Sequence, residues 1–289
     1  TGFNEAMNNS LTKAAYTGLI PELDVLKNVV IINPLSQELN VMRQSLLFSG
    51  LENITYNQNR KNTDIKLYEF GKTYHKTADG NIEKQHLQIL VSGRIPSENW
   101  HTNSDQVDFY FMKEKVEHIL NRLEVKKIKS EAINKNGFAE GLMYKFGKKR
   151  LVCFGRLEKK LCKSFGVKSE VFAADFNWDL ILELARENKT KYQKISKFPS
   201  VRRDLSLLID TAVTFDELKK IATATDNKIL KSVNLFDVYE GDKLPKGKKS
   251  YALSFIMADA TKTLTDKYVD KVMGQLMNSF KEKVGAELR

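Results

Sequence analysis

In the last third of the chain, strand-like and helical hydrophobic patterns follow one another. Residues 204–210 are typical of a strand, and Thr214 with Glu217 three positions later is spaced as a capping box that opens a helix. Two further strands are predicted at residues 229–239 and 249–258.

A second helix is expected to follow, because apolar residues recur there at steps of three and four. These residues are Val269, Val272, Met273, Leu276, Met277, Phe280 and Val284. Thr263 and Asp266 are spaced as a start signal, and Gly285 stands where a helix often ends. With a short last strand at residues 286–289, the order of elements is βαββαβ, which is the ferredoxin-like arrangement.

The first 190 residues contain both helical and strand-like hydrophobic patterns. They favour an α+β domain with a mostly antiparallel sheet and flanking helices. Strands are predicted at residues 67–74, 87–93 and 151–157, and a helix at residues 109–123. The stretch 189–203 contains six basic residues and no acidic one, so it marks a connector. We therefore predict two domains, residues 1–190 and 191–289.

Composition and charge exclude only a few classes of function. A net charge of +11 favours a polyanionic partner, although the basic excess is spread over both domains. Cys153 and Cys162 stand in unlike settings, which argues against a disulfide framework and for a reducing, cytoplasmic location. The four histidines lack zinc-site spacing, so no metal site is predicted. No apolar run approaches the about 20 residues of a membrane span, so no membrane association is expected.

Several motifs, in order along the chain, resemble one family. In the first domain they are residues 2–6, 33–47, 57–60 and 67–74, and in the second they are 198–205, 236–239, 247–250 and 263–266. These segments are similar to the class II synthetase-like core and the ferredoxin-fold anticodon-binding domain of bacterial phenylalanyl-tRNA synthetase beta chains. The resemblance implies the C-terminal part of such a beta chain.

The family implies an enzyme of two alpha and two beta subunits, which uses ATP and magnesium to join phenylalanine to tRNA(Phe) during translation. The alpha subunit carries the aminoacylation site in that family. This chain departs from class II enzymes in two places: strand 67–74 is followed by His75 without the expected Arg and Glu, and residues 155–166 lack the glycine ladder and its terminal arginine. We therefore expect a catalytically silent core that binds no cofactor of its own and packs against the alpha subunit. Arg43 is expected in an ion pair or a helix cap.

Candidate RNA-binding residues lie in the second domain. Strand alternation predicts Asp237 and Tyr239 on one face, with Phe236 and Val238 packed in the core on the other. By resemblance, Asp237 and Ser250 would bond the edge of a guanine, Tyr239 would stack on a neighbouring base, and Arg289 would lie near this anticodon pocket.

Phosphate contacts are predicted for a set of basic residues near this pocket. They are Lys246, Lys248, Lys249 and Arg202. An internal salt bridge would explain Arg203 and Asp204 as well as RNA does. Two alternatives remain open from the sequence: a self-sufficient class II ligase whose ATP-binding arginines lie elsewhere in the chain, and a free-standing RNA-binding module that reuses the fold.

Overall fold

The structure is a computed structural model that describes residues 2–34, 36–95, 100–101, 105–188, 192 and 194–289. The chain divides into two compact units, Thr1–Thr190 and Lys191–Arg289, here called unit 1 and unit 2. Residues 189–191 and 193 of the predicted connector lie outside the described residues. None of the described helices is long and apolar enough to cross a membrane.

Unit 1 is built around a large mixed sheet. Its strands are β1 (Asn4–Glu5), β2 (Leu11–Thr12), β3 (Val41–Met42), β4 (Ile65–Thr77), β5 (Gly80–Ser92), β6 (Ile128–Ile133), β7 (Phe138–Phe146), β8 (Lys149–Leu157) and β9 (Val171–Asn177). Its α-helices are α1 (Leu47–Gln58), α2 (Phe109–Arg122), α3 (Lys159–Ser164) and α4 (Trp178–Glu187). Among the described residues, seven strands form one sheet in the order β1-β4-β5-β9-β8-β7-β6, while β2 and β3 pair separately. All neighbours in the large sheet are antiparallel except β1 and β4, which confirms the predicted mostly antiparallel sheet.

Helices cover both faces of this sheet. Leu87, Ile89 and Val91 of β5 belong to the apolar cluster that contains α2 and α4, whereas Leu90 belongs to the cluster that contains α1 and α3. A strand buried on both faces has no polar side to expose, and β5 is accordingly buried without interruption from Leu87 to its end.

Unit 2 has the predicted ferredoxin-like fold. Its elements are β10 (Val201–Asp210), α5 (Phe215–Thr225), β11 (Leu230–Tyr239), β12 (Lys248–Met257), α6 (Asp266–Val284) and β13 (Glu287–Leu288). The strands form an antiparallel sheet in the order β11-β12-β10-β13. Thr214 and Glu217 form the predicted capping box, and Gly285 ends α6 with a φ of 62°. The N-cap of α6 is Thr265, two residues after the predicted start signal.

Among the described residues of unit 2, helices cover one face of the sheet and not the other. Leu253, Phe255 and Met257 of β12 are buried in the apolar cluster that contains α5 and α6. Because side chains alternate along a strand, the even-numbered residues of β12 lie on the opposite face. This second face is here called the open face, and it carries the site described next.

Candidate nucleic-acid interface

The open face brings the predicted anticodon residues into two adjacent rows. Tyr239 of β11 lies opposite Ser250 of β12, and Asp237 lies opposite Ala252. Ala252 in turn lies opposite Ser206 of β10. Directly opposite residues of antiparallel strands share a face, so all five side chains lie on the face that α5 and α6 leave uncovered.

Arg289 completes this group from the far edge of the sheet. Its backbone N–H donates to the Ser206 carbonyl at 2.9 Å, and its guanidinium carbon lies 4.9 Å from the centre of the Tyr239 ring. Between them are the small residues Ser206 and Ser250, whose hydroxyl oxygens are 3.3 Å apart. The Arg289 guanidinium therefore contacts the Tyr239 ring above a floor of small side chains, and this group of residues is here called the Tyr239 slot.

Gly241 holds the Tyr239 ring in place, a role that the sequence analysis missed. A Cβ atom at Gly241 would lie 2.7 Å from both Cζ and Oη of Tyr239, well inside normal contact distance. The ring therefore packs on the bare glycine backbone. The available signal was a glycine two residues after the candidate stacking aromatic.

The prediction that Phe236 and Val238 pack in the core is wrong. A β-bulge separates Leu235, opposite Leu253, from Asp237, opposite Ala252, so Phe236 is an extra residue in the strand. Phe236 is 50% exposed and Val238, which lies opposite Tyr251, is 49% exposed.

The predicted phosphate contacts divide into three kinds. Lys249 is 7% exposed and its ammonium donates to the Thr211 carbonyl at 2.9 Å, so its predicted phosphate role is wrong. The physical reason is strand parity, which puts Lys249 on the helix-covered face with Leu253 and Phe255. Lys248 forms an ion pair with Asp210 at 3.0 Å. Lys246 is exposed in the loop before β12, where phosphate binding stays a prediction.

The arginines of β10 pair differently from the expected pattern. Arg202 binds Asp204 through two bonds, Nε to Oδ1 at 2.8 Å and a terminal nitrogen to Oδ2 at 3.2 Å. Arg203 instead reaches Asp266 of α6 at 2.7 Å. Arg203 and Asp204 are therefore both in internal salt bridges, but with Asp266 and Arg202 and not with each other, because adjacent strand residues point to opposite faces.

Unit 1 contains a polar cavity of about 220 Å³. His86 Nδ1 lies 2.6 Å from Asp175 Oδ1, and Arg150 donates to Asp175 Oδ2 at 3.0 Å. Burial tends to raise the pKa of Asp175, but His86 and Arg150 outweigh it and lower that pKa to about 2. His75 also lines the cavity, and burial lowers its pKa to about 4. At neutral pH the cavity therefore holds an ionised Asp175 and a neutral His75.

Arg43 forms a buried ion pair, which confirms the structural interpretation. Its terminal nitrogen lies 2.7 Å from Glu69 Oε1, and its Nε donates to the Lys72 carbonyl at 3.0 Å. The other Glu69 oxygen accepts from the Asn8 amide at 2.6 Å. Within the described ranges, no three His, Cys, Asp or Glu side chains are grouped to hold a metal ion.

Two family models match the chain. The model of the phenylalanyl tRNA synthetase beta chain CLM domain matches residues 1–178, and that of the ferredoxin-fold anticodon binding domain matches residues 196–289. The phenylalanine–tRNA ligase beta subunits of Bacteroides fragilis and Porphyromonas gingivalis are 44% and 36% identical to it over 300 aligned residues. The alignment covers 100% of this chain and 37% of each relative, so the chain spans little more than a third of their length.

Among solved structures, a pyrrolysyl tRNA synthetase from Desulfitobacterium hafniense shares the fold with a TM-score of 0.50 at 14% identity. The match covers 64% of this chain and 64% of that one. At this identity the likeness supports the class II synthetase-like fold alone. The family models and the sequence relatives carry the assignment further, and the chain belongs to the phenylalanyl-tRNA synthetase beta chain family.

Proposed function

We propose that this chain is part of the beta subunit of phenylalanine–tRNA ligase, and that the Tyr239 slot binds unpaired anticodon bases of tRNA(Phe). The observation that carries the proposal is the meeting of Tyr239, Asp237, Ser250 and Arg289 on one uncovered sheet face. Unpaired RNA bases are bound by stacking on aromatic rings and arginine planes, with hydrogen bonds to their exposed edges.

The chemistry of the slot suits a guanine. The Asp237 carboxylate accepts hydrogen bonds, and guanine presents N1–H and N2–H donors on one edge. Ser250 is only 4% exposed and its hydroxyl lies 3.3 Å from that of Ser206, so it would contact a base from the floor of the site. The small side chains of Ser206 and Ala252 leave room for a flat base above the sheet. Tyr239 and Arg289 contact each other, and the outer face of this pair would provide the stacking surface.

For unit 1 we propose a non-catalytic role in packing against the alpha subunit, which would use ATP and Mg²⁺ in the assembled enzyme. Both carboxylate oxygens of Asp175 are engaged by His86 and Arg150, which leaves this carboxylate poorly suited to bind Mg²⁺. Arg150 itself is committed to Asp175, and Arg43 is committed to Glu69. These pairings argue against either arginine as a free clamp for ATP phosphates.

The test is phenylalanylation by full-length beta subunit assembled with alpha subunit. Tyr239→Ala and Asp237→Ala are compared on normal tRNA(Phe) and on tRNA with substituted anticodon bases. We expect both variants to lose activity on the normal tRNA and to match the wild type on the substituted tRNA. Tyr268→Ala is the control, because Tyr268 is 39% exposed on α6, away from the open face. Equal losses on both RNAs would contradict the site.

Two alternatives give different results. A self-sufficient ligase would catalyse phenylalanine-dependent ATP–pyrophosphate exchange without any alpha subunit, and the pairing of Arg150 with Asp175 argues against it. A free-standing RNA-binding module would bind RNA but would fail to purify with the alpha subunit. We expect no exchange from this chain alone and stable association of the full-length beta subunit with alpha.

A further inference from the structure

We propose that Phe236 and Arg202 form a second base-stacking subsite on the open face, which holds a different unpaired nucleotide from the one in the Tyr239 slot. The inference rests on the proposed function, since it needs RNA on this face. Phe236, which strand alternation predicts to face the core, is half exposed.

The β-bulge presents Phe236 to the open face. Arg202 lies opposite Ile256, an even-numbered residue of β12, so Arg202 projects from the open face of β10. Its guanidinium carbon lies 5.3 Å from the centre of the Phe236 ring. The two side chains therefore meet above the same face, although β12 separates their strands. Half of the Phe236 surface remains exposed beside this contact.

Asp204 prepares the arginine for stacking. It accepts two hydrogen bonds from Arg202 and so fixes the plane of the guanidinium and compensates its charge. A charge-compensated flat guanidinium next to a phenyl ring is suited to the face of a base, and less suited to a phosphate, which needs uncompensated charge. This assigns to Arg202 a stacking role in place of the predicted phosphate contact.

The polar row beside this pair offers partners for a base edge. Asn234 lies opposite Ser254, which in turn lies opposite Asp204. Asn234 is exposed, and its amide both donates and accepts hydrogen bonds. The second subsite therefore has an aromatic ring, a guanidinium plane and an amide, the same kinds of group that bind unpaired bases in RNA-binding domains.

The spacing of the two rings requires two nucleotides. Phe236 and Tyr239 are three residues apart, and because Phe236 is the extra residue of the bulge they lie roughly 8 Å apart along the strand at about 3.3 Å per residue. Successive stacked bases are about 3.4 Å apart. Bases on the two rings are therefore splayed apart and belong to different nucleotides, as is usual for single-stranded RNA bound on a sheet.

The test combines ring removal with base removal. Full-length beta subunit assembled with alpha is titrated with anticodon stem-loops of tRNA(Phe), each with one unpaired loop nucleotide made abasic. At one position, base removal should weaken binding about 5- to 100-fold for the wild type and Tyr239→Ala, but hardly at all for Phe236→Ala. At a different position, base removal should weaken binding for the wild type and Phe236→Ala, but hardly at all for Tyr239→Ala. Phe236→Tyr keeps the ring and should bind like the wild type.

Val238→Ala is the matched control, since Val238 has the same exposure and lies opposite Tyr251, away from the open face. It should leave every affinity unchanged. If Phe236→Ala weakens all the RNAs equally, or none of them, the second subsite does not exist. If Phe236→Ala abolishes the effect of base removal at one position and Tyr239→Ala does so at none, the second subsite is supported and the Tyr239 slot is contradicted.

Substitutions of Arg202 distinguish a stacking role from a phosphate contact. Arg202→Lys keeps the charge and loses the plane, so it should weaken binding of the intact loop with an unchanged salt dependence. It should also reduce the loss of affinity that base removal causes at the nucleotide assigned to Phe236. Full retention of affinity by the lysine variant, together with a shallower salt dependence for Arg202→Gln, would assign Arg202 to a phosphate and overturn its stacking role.

Discussion

The two sheets of this protein differ in how many of their faces are covered. In unit 1, helices cover both faces, and β5 is buried from Leu87 to its end. In unit 2, helices cover one face, and small polar residues such as Ser206 line the other. An antiparallel sheet with one uncovered face is an ordinary stable fold, so the open face is available for binding without loss of the core.

One ion pair from each unit shows a similar contrast in exposure. Arg43 and Glu69 of unit 1 form an ion pair with side chains only 5% and 6% exposed, whereas Arg202 and Asp204 of unit 2 form theirs in solvent. A buried pair loses stability strongly when one partner is removed, and an exposed pair loses little. The Arg43–Glu69 pair should therefore matter for folding, and the Arg202–Asp204 pair should matter little for it.

The largest effect is expected from Glu69→Ala. Removal of this carboxylate leaves the Arg43 guanidinium buried and unpaired, which costs about 3–5 kcal/mol of unfolding free energy. Urea unfolding followed by circular dichroism would measure the loss. Asp204→Ala is the matched change in unit 2, and it should leave the unfolding midpoint unchanged. Equal losses of unfolding free energy in the two variants would contradict the contrast between the buried and the exposed ion pair.

Acidification should destabilise unit 1 through His75. Burial, followed by the nearby charge of Lys84, lowers the pKa of His75 from 6.5 to about 4. Between these values the unfolded chain binds a proton that the folded chain does not, so stability falls as pH drops through this window. With allowance for its partial exposure, we expect a loss of about 2 kcal/mol by pH 4.

His75→Asn removes the titrating group and should flatten this part of the profile. Both tryptophans, Trp100 and Trp178, belong to unit 1, so their fluorescence in urea titrations between pH 7 and 4 reports on the correct unit. An unchanged slope in the variant would show that His75 is not responsible.

Gly241→Ala should affect binding without affecting folding. The added Cβ would collide with the end of the Tyr239 ring, which can swing aside into solvent. We expect about fivefold weaker binding of the anticodon stem-loop, part of the value of one base stack, with an unchanged unfolding midpoint. Gly274→Ala is the control, because no atom lies within 4 Å of a Cβ added there. A loss of stability with unchanged RNA affinity would contradict the supporting role of Gly241.

The smallest effect is expected at Lys246. If this exposed lysine contacts a phosphate, Lys246→Ala should reduce the slope of log affinity against log salt by about 0.7, the value of one contact to a single strand. Lys249→Ala should leave the slope unchanged and lower stability, since Lys249 is buried. The reverse result would restore the phosphate role predicted for Lys249 from the sequence.

Local sequence patterns predicted unit 2 well because its strands alternate and its helices carry standard end signals. The same alternation failed at Phe236, where one inserted residue shifts the register within β11. Nothing in the local pattern marks that bulge. The error at Lys249 was avoidable, because strand parity already places this residue on the helix-covered face.

Two contacts lay beyond any local pattern. The approach of Arg289 to Tyr239 joins the two edge strands of unit 2, and only the family resemblance indicated it. In unit 1, His86, Arg150 and Asp175 come from three different strands, and no sequence spacing connects them. Such groups form only when tertiary packing brings their strands together.

The most direct test of the open face as an anticodon reader combines Asp237→Ala with a change from guanine to inosine in the anticodon. Inosine lacks the N2 amino group that the Asp237 carboxylate is proposed to accept from. With full-length beta subunit assembled with alpha, the wild type should bind the inosine stem-loop about 5- to 100-fold more weakly than the guanine one, and Asp237→Ala should bind both alike. If the guanine preference persists in Asp237→Ala, Asp237 does not read this base and the proposed site is contradicted.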